Sequence, residues 1–141
     1  MNEEAARLVS AGELREAARV LGRPFEVEGV VVEGDRRGKL LGFPTANLDL
    51  PPDQLLPPKG IYAGAARGRR AAISIGVNPH YGGTVLRVEA HLLDFDGDLY
   101  GQSLKVELWE RLRDERAFAS EAELVGAIAA DVEAARRAVR P

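Results

Sequence analysis

The chain has 141 residues, of which 45% are hydrophobic and 29% charged, and its formal net charge is −3. This length and composition suit one folded domain and exclude a disordered or collagen-like chain. The absence of cysteine excludes disulfides, thiol catalysis and thiolate metal sites. The acidic, alanine-rich N-terminus lacks the features of a signal peptide, and no apolar stretch reaches membrane-spanning length. We therefore expect a cytoplasmic protein that binds no membrane and, given its net acidity, no nucleic acid.

The N-terminal part of the sequence predicts a helix over residues 3–21. Ser10 and Glu13 have the spacing of a capping box. The apolar residues from Leu14 to Leu21 follow at helical spacing and form one stripe. Gly22 and a proline two residues later then end the helix.

The middle of the chain consists of short runs typical of strands, separated by glycine and proline. The expected strands are Phe25–Val32, Ile61–Ala66, Ala71–Val77, Thr84–Phe95 and Ser103–Leu112. Residues 67–70 are typical of a hairpin turn, and the acidic stretch 96–98 predicts a second turn that pairs the last two strands. No helical pattern intervenes, so we expect a mainly β fold: an antiparallel sheet or small closed barrel of about six strands.

The last residues return to a helical pattern. Ser120 and Glu123 have capping-box spacing. An apolar stripe follows at Leu124, Ile128, Val132, Ala135 and Val139. We expect this helix to pack on the barrel.

A glycine-rich stretch, residues 34–40, resembles a phosphate-binding loop. It does not match the P-loop pattern, because one spacer residue is missing and Leu40 stands where a Ser or Thr would bind Mg²⁺. What remains is a loop with three cations, Arg36, Arg37 and Lys39, beside backbone N–H groups that glycine leaves open. Such a loop can hold phosphates, and it can equally be a polar turn between strands.

Pro44, Thr45 and Asn47 interrupt the apolar stretch that follows. Proline directs its neighbours into an extended path, in which side chains two residues apart project to one face. A hydroxyl and an amide oxygen are hard donors, suitable for Mg²⁺ that keeps waters and phosphate oxygens as its other ligands. The alternative is that Asn47 caps a turn before Asp49.

The segment around Glu89 alternates between apolar and polar side chains. Arg87, Glu89 and His91 share one face of the predicted strand. A solvated strand face explains this pattern, and so does a general base kept ionised by its cationic neighbour. Since His80 is the only other histidine, a cluster of two or three histidines around zinc is excluded.

The connection from the last strand to the last helix combines Arg113, Arg116 and Phe118. Cations beside an aromatic ring suit a flat heteroaromatic ligand. Phe118 can also act as the hydrophobic staple of the helix, and the two roles are compatible.

Taken in order, these segments resemble the riboflavin kinase family, specifically the kinase module of bacterial bifunctional riboflavin kinase/FAD synthetases. The matching motifs are GDRRGKLLGFPTANL, PPKGIYAG, AISIGVNP, VEAHLLDFDGDLYGQSL and LRDERAFAS. The resemblance implies a kinase domain at residues 23–141, preceded by a helical linker segment at residues 1–22. Because no HxGH-type nucleotidyltransferase signature is present, it implies an isolated kinase module that makes FMN and not FAD. In the full-length protein an adenylyltransferase module is expected to precede it.

The resemblance also implies a fold, a reaction and a set of site residues. The fold is a six-stranded antiparallel, Greek-key-like barrel with a C-terminal helix and a short N-terminal helix. The reaction transfers the γ-phosphoryl group of ATP to the 5′-hydroxyl of riboflavin, with Mg²⁺. Thr45 and Asn47 would contact Mg²⁺ and the nucleotide phosphates, and Glu89 would take the hydroxyl proton. The other ATP-binding residues would be Gly34, Arg37, Gly38, Lys39, Gly42, Leu92, Asp94 and Tyr100, and the flavin side would be lined by Arg113, Arg116 and Phe118.

One departure and two rival functions complete these expectations. Where the family usually has Thr-Phe, this chain has His80-Tyr81, so His80 stays outside the catalytic set. A barrel that binds flavin without turnover would not need a base, which the chain retains in Glu89. A nucleic-acid-binding barrel of OB type is disfavoured by the net acidity and by an aromatic content of 6%.

Overall fold

The computed structural model describes residues 1–34, 37–77 and 86–141, of which residues 37 and 38 by their backbone only. Over these ranges the chain forms six strands and four helices. In chain order they are α1 (Glu3–Ser10), α2 (Leu14–Leu21), β1 (Phe25–Val32), α3 (Arg37–Leu40), β2 (Ala46–Asp49), β3 (Gly60–Ala66), β4 (Arg69–Val77), β5 (Leu86–Leu92), β6 (Ser103–Arg113) and α4 (Glu121–Arg137). The predicted mainly β fold with about six strands is confirmed. Within the same ranges, no helix is long and apolar enough to cross a membrane.

The six strands close into an antiparallel barrel in the order β1-β2-β5-β4-β3-β6. Alternate side chains point inward and fill the interior with fully buried residues, including Tyr62, Ile73, Ile75, Val88, Leu104 and Val106. The predicted pairing of the last two strands is wrong. β5 lies between β2 and β4, whereas β6 lies between β1 and β3. The connection over residues 93–102 is too long for a tight hairpin and crosses to the other side of the barrel.

Strand boundaries follow the predicted ones closely where a hydrophobic alternation marks them. β1 has the predicted bounds, and β3 and β4 begin one and two residues early. The turn between β3 and β4 therefore has two residues, Arg67 and Gly68, where four were predicted. Their φ angles of 53° and 75° are the pattern of a two-residue hairpin. β5 ends at Leu92, short of the predicted Phe95, while the predicted start of that strand lies outside the described residues. The short strand β2 was not predicted.

The single helix predicted over residues 3–21 is in fact two helices. Gly12, at φ 81°, lets the chain turn between them. Ser10 is the last residue of α1, and Glu13 precedes α2 without a side-chain capping bond, so the predicted capping box does not form. The predicted end at Gly22 is confirmed by its left-handed φ of 76°. Both helices pack against the barrel and contribute Val9, Leu14 and Ala17 to its core.

The C-terminal helix α4 begins as predicted. Ser120 Oγ accepts from the Glu123 amide at 3.2 Å, and the Glu123 carboxylate accepts from the Ala119 amide at 3.1 Å. The helix lies on the outer face of β3 and β4, where Val132 and Ala135 join a second apolar cluster. The stripe stops there, because Val139 lies beyond the helix and is 69% exposed.

β6 is irregular where it meets α4. Between Leu108 and Glu110, and again between Arg111 and Arg113, β6 has one residue more than β3. The first extra residue is Trp109, which leaves the barrel interior and packs under α4. The second is Leu112, directly before Arg113. A bulge bends a strand and changes the direction of nearby side chains. These irregularities therefore let β6 place side chains both in the barrel core and in the cluster under α4.

Candidate functional site

An open cleft of about 880 Å³ lies where β1 ends, β2 begins and β5 ends. Its wall contains eight of the predicted ATP-binding residues: Gly34, Lys39, Gly42, Thr45, Asn47, Leu92, Asp94 and Tyr100. The side chain of Arg37 and the surroundings of Gly38 lie outside the described part of the chain, and so does the His80-Tyr81 departure. The structure therefore brings together, in one cleft, residues up to 66 positions apart (34 to 100).

Asn47 lies within β2, so the alternative that it caps a turn is wrong. Its backbone pairs with Val32 on one side and Glu89 on the other, and its side chain is on the outer face, opposite the inward Leu48. The chain leaving β1 passes directly over this side chain. A Cβ added at Gly34 would overlap the Asn47 amide group. Glycine at position 34 therefore allows the close contact between the loop and Asn47.

The segment before β2 is held by His91, a residue for which the sequence suggested no role. Its Nδ1 lies 2.7 Å from the Pro44 carbonyl oxygen. Since a carbonyl only accepts, this nitrogen carries the proton. The ring also meets Phe43 edge-on at 5.7 Å between centroids. These two contacts fix the path that presents Thr45 to the cleft.

Glu89 lies on β5, directly before the residues of this strand that line the cleft. The predicted alternation is confirmed: Val88, Ala90 and Leu92 are buried in the barrel, and Glu89 is on the outer face. Arg87 Nε lies 3.1 Å from Glu89 Oε1, with the two side chains 25% and 17% exposed. The carboxylate is therefore half-buried beside a positive charge.

The strand register places Glu89 in a row that runs across five strands. Asn47 pairs with Glu89, Glu89 with Ser74, Ser74 with Ile61, and Ile61 with Arg113. All five residues are on the outer face. At about 5 Å between strands, the row follows roughly 20 Å of the circumference of the barrel. Ser74 was missed because nothing in its sequence context distinguishes it; only the register shows that it adjoins Glu89.

The predicted flavin-side residues also come together. Arg113 and Arg116 place their guanidinium carbons 5.6 and 4.9 Å from the centroid of the Phe118 ring. Arg113 Nε and Nη2 donate to the two carboxylate oxygens of Asp131 at 2.9 and 2.8 Å. Asp131, on α4, is 6% exposed. The sequence did carry a signal for it, an acidic residue within the apolar stripe of α4.

Asp94 adds a second link between the site and α4. It sits just after β5 with φ 58°, and Arg136 Nη1 donates to its carboxylate at 2.8 Å. That hydrogen bond and the charge of Arg136 lower the pKa of Asp94. Arg69 also donates to its backbone oxygen at 2.6 Å. The wall of the cleft is thus fastened to both β4 and the C-terminal helix.

The donor set of the cleft bears on the expected Mg²⁺. Among residues 1–34, 37–77 and 86–141, no group of three or more His, Cys, Asp or Glu side chains could hold a metal ion. Thr45 and Asn47 offer one neutral oxygen each. Two neutral oxygens fit an ion that arrives with nucleotide phosphates and water as its other ligands, and they do not suit a permanently bound metal.

Comparisons with known proteins agree with this geometry. A family model described as "Flavokinase: Riboflavin kinase" matches residues 21–139. The bifunctional riboflavin kinase/FMN adenylyltransferase of Escherichia coli K12 is 42% identical over 125 residues, which cover 85% of this chain and 40% of that protein. The Bacillus subtilis protein of the same name is 35% identical over 133 residues, covering 89% and 42%. The chain thus spans about two fifths of the length of these relatives.

Two solved structures share the fold. The riboflavin kinase of Trypanosoma brucei superimposes with a TM-score of 0.60 at 30% identity, covering 81% of this chain and 78% of that one. A Streptococcus pneumoniae structure, named a macrolide-efflux protein, superimposes with a TM-score of 0.90 at 34% identity. It covers 99% of this chain and 47% of that one.

Proposed function

The chain belongs to the riboflavin kinase family, and we propose that it transfers the γ-phosphoryl group of ATP to the 5′-hydroxyl of riboflavin, giving FMN and ADP. The observation that carries the proposal is the row on the outer face of the barrel. It places a carboxylate, Glu89, directly beside the cleft residue Asn47. A phosphoryl donor bound in the cleft would therefore have a base next to it.

The cleft is proposed to hold ATP as its Mg²⁺ complex. Phosphoryl transfer demands mainly positioning and neutralisation of phosphate charge. Lys39 provides a positive charge at the cleft wall, and Thr45 and Asn47 provide oxygens for the metal that travels with the phosphates. Mg²⁺, when bound with ATP, supplies charge neutralisation on the phosphate oxygens. Gly34 lets the loop close directly over Asn47.

Glu89 is proposed to be the general base. As the new bond forms between the 5′-oxygen and the γ-phosphorus, the bond from phosphorus to the ADP oxygen breaks, and the hydroxyl proton passes to the carboxylate. Arg87 at 3.1 Å keeps the carboxylate ionised before the transfer. A positioned base of this kind contributes about 10²–10⁴-fold in rate.

The flavin is proposed to lie between Glu89 and the loop that carries Arg116 and Phe118. The loop that follows β6 reaches back to this side of the barrel: a Cβ added at Gly76 would lie 2.9 Å from Glu115 Oε1, and Gly76 pairs with Arg87 beside Glu89. The flavin ring would lie against this loop, with its 5′-hydroxyl at Glu89. Closure of the two loops over both substrates would exclude water, which would otherwise compete as acceptor.

The bifunctional relatives combine kinase and adenylyltransferase in one chain, and this chain spans about 40% of their length. We infer that it corresponds to the kinase part, working in the cytoplasm where ATP is available. Its expected product is FMN and not FAD.

Chromatographic separation of FMN from riboflavin, after incubation with ATP and Mg²⁺, tests the proposal. We expect FMN from the parent protein and a rate about 10²–10⁴-fold lower from Glu89→Gln, with riboflavin affinity within about twofold of the parent. Glu110→Gln is the matched control, because it removes another carboxylate paired with an arginine, Arg15, at 3.1 Å. Absence of FMN with any divalent ion would overturn the kinase, and equal rates for Glu89→Gln and parent would remove Glu89 from the base role.

A further inference from the structure

Arg113 belongs to the proposed flavin side, yet its guanidinium group is already occupied by protein oxygens. Nε and Nη2 donate to Asp131, and Nη1 donates to the Asp114 carbonyl oxygen at 3.1 Å. All three nitrogens therefore have a partner within the protein. These bonds hold the planar guanidinium group of Arg113 in place beside the Phe118 ring. Arg113 is thus better suited to fix Phe118 than to bind a ligand itself.

Asp131 is an unusual residue for its position. It is 6% exposed and lies among the apolar residues by which α4 packs on the barrel. Burying a carboxylate is costly, and a buried ion pair is often no more stabilising than a well-packed apolar pair. Stability alone therefore does not account for an aspartate here. What an apolar residue could not do is hold a guanidinium group with two parallel hydrogen bonds in one orientation.

The backbone at this point is also shaped for the contact. The extra residue Leu112 in β6 immediately precedes Arg113 and packs against the apolar cluster under α4. A bulge changes the direction of the next side chain. Arg113 then continues the outer-face row that contains Glu89. The same side chain therefore connects the helix, the row and the aromatic ring of the loop.

We propose that Asp131 is a positioning residue for flavin binding: it fixes Arg113, and Arg113 fixes Phe118 at the wall on which the flavin ring lies. Arg116, which is exposed and 4.9 Å from the same ring, remains available to the ligand. This inference rests on the proposed function for the identity of the ligand. It adds that the flavin wall is set by a helix residue that does not touch the flavin.

Steady-state kinetics and direct binding test the proposal together. For Asp131→Asn we expect the riboflavin KM to rise about tenfold, with the ATP KM and kcat within about twofold of the parent. Quenching of riboflavin fluorescence gives the riboflavin Kd without turnover, and we expect the same tenfold increase. If the parent bound riboflavin but made no FMN, the proposed function would fail, whereas this binding measurement would still decide on Asp131.

Arg140→Gln is the matched control. It removes the two hydrogen bonds, 3.0 Å each, between Arg140 and Glu107 of β6, just beyond the far end of α4. The number of ionic hydrogen bonds lost is the same, although the Arg140 pair is more exposed and its loss should cost less stability. We expect its riboflavin KM and Kd to match those of the parent.

A double variant covers the case in which Asp131→Asn does not fold. Asp131→Leu with Arg113→Met replaces the ion pair by an apolar pair of similar volume, which we expect to fold. It should still bind riboflavin about tenfold more weakly. Parent-like riboflavin affinity in a folded variant, or an equal rise of the ATP and riboflavin KM values, would overturn the proposal.

Discussion

Replacing Gly34 by alanine tests the contact between the glycine loop and Asn47. Gly34 does not adopt the left-handed conformation in which alanine would be strained, so the change adds only a methyl group. That methyl would overlap the nitrogen, carbon and oxygen of the Asn47 amide. Asn47 belongs to β2, whose backbone is paired on both sides. The overlap is therefore relieved by rotation of the amide, which moves its oxygen away from the cleft.

The expected loss follows from what that oxygen is proposed to do. A hydrogen bond or ligand contact to a charged group contributes about 1.5–3 kcal/mol. At 1.36 kcal/mol for each tenfold change in rate, kcat/KM for ATP should fall about 10- to 150-fold. Rotation of one partly exposed side chain costs about 1 kcal/mol or less. The variant should therefore remain folded, with riboflavin affinity unchanged.

The assay is FMN formation at saturating riboflavin, with Mg·ATP varied. Gly126→Ala is the matched control, since a Cβ there meets nothing within 4 Å and Gly126 lies within α4. We expect this control to keep the parent kinetics and to gain about 1 kcal/mol of stability from the better helix former. A parent-like ATP KM for a folded Gly34→Ala would refute the inference that the loop closes on Asn47 at the nucleotide site.

Three further predictions concern ligand use and stability. Thr45→Val should raise the Mg·ATP concentration needed for half-maximal rate about tenfold, and an unchanged Mg²⁺ dependence of FMN formation would count against Thr45 as a ligand. The hydrogen bond and charge of Arg140 lower the pKa of Glu107, so this pair stabilises the fold above about pH 4.3 and ceases to do so as pH falls through the lower folded pKa. Thermal melting should therefore show Glu107→Gln less stable by about 1 kcal/mol between pH 5 and 8, with the difference closing below about pH 4; a constant difference would contradict this assignment. Gly64→Ala should cost more than about 3 kcal/mol in urea unfolding, because its Cβ would overlap the Glu107 backbone.

Much of the fold followed from local patterns. The alternation in Phe25–Val32 and from Leu86 to Leu92 marks one buried face, and such faces predict strands without knowledge of their partners. The end of α2 at Gly22 and the start of α4 at Ser120 depend on residues at fixed offsets within one turn of helix. These features are short-range, so the sequence displays them directly.

The predictions that were wrong or missing concern features that depend on partners distant in sequence. The order of strands around the barrel decided that β5 and β6 do not pair, and no local pattern contains that information. β2 is only four residues long, and it is a strand because two longer strands flank it. Asp131 was not predicted as a site residue, because its partner Arg113 lies 18 residues earlier. Ser74 is noticed only because the strand register pairs it with Glu89.

The position of the site follows from how the barrel is filled. Its interior is packed with side chains such as Ile73, Val88 and Val106, each 0% exposed, so substrates must use the outer face and the strand ends. α4 covers the outer face of β3 and β4 and limits the free surface. The helix also forms an ion pair at each end of the outer surface that it leaves uncovered. Arg136 binds Asp94 at the nucleotide cleft, and Asp131 binds Arg113 at the flavin loop.

Asp131 and Arg136 are five residues apart on α4, about 7.5 Å along the helix axis. Because a helix is rigid over this length, the two ion pairs set the proposed nucleotide wall and the proposed flavin wall at a fixed separation. The proposed base Glu89 is positioned independently of the helix, through the paired backbones of β2, β4 and β5. Loss of either ion pair should therefore alter substrate affinities while leaving Glu89 in place. Changes in β5 should instead reduce kcat, so the two elements divide binding and proton transfer between them.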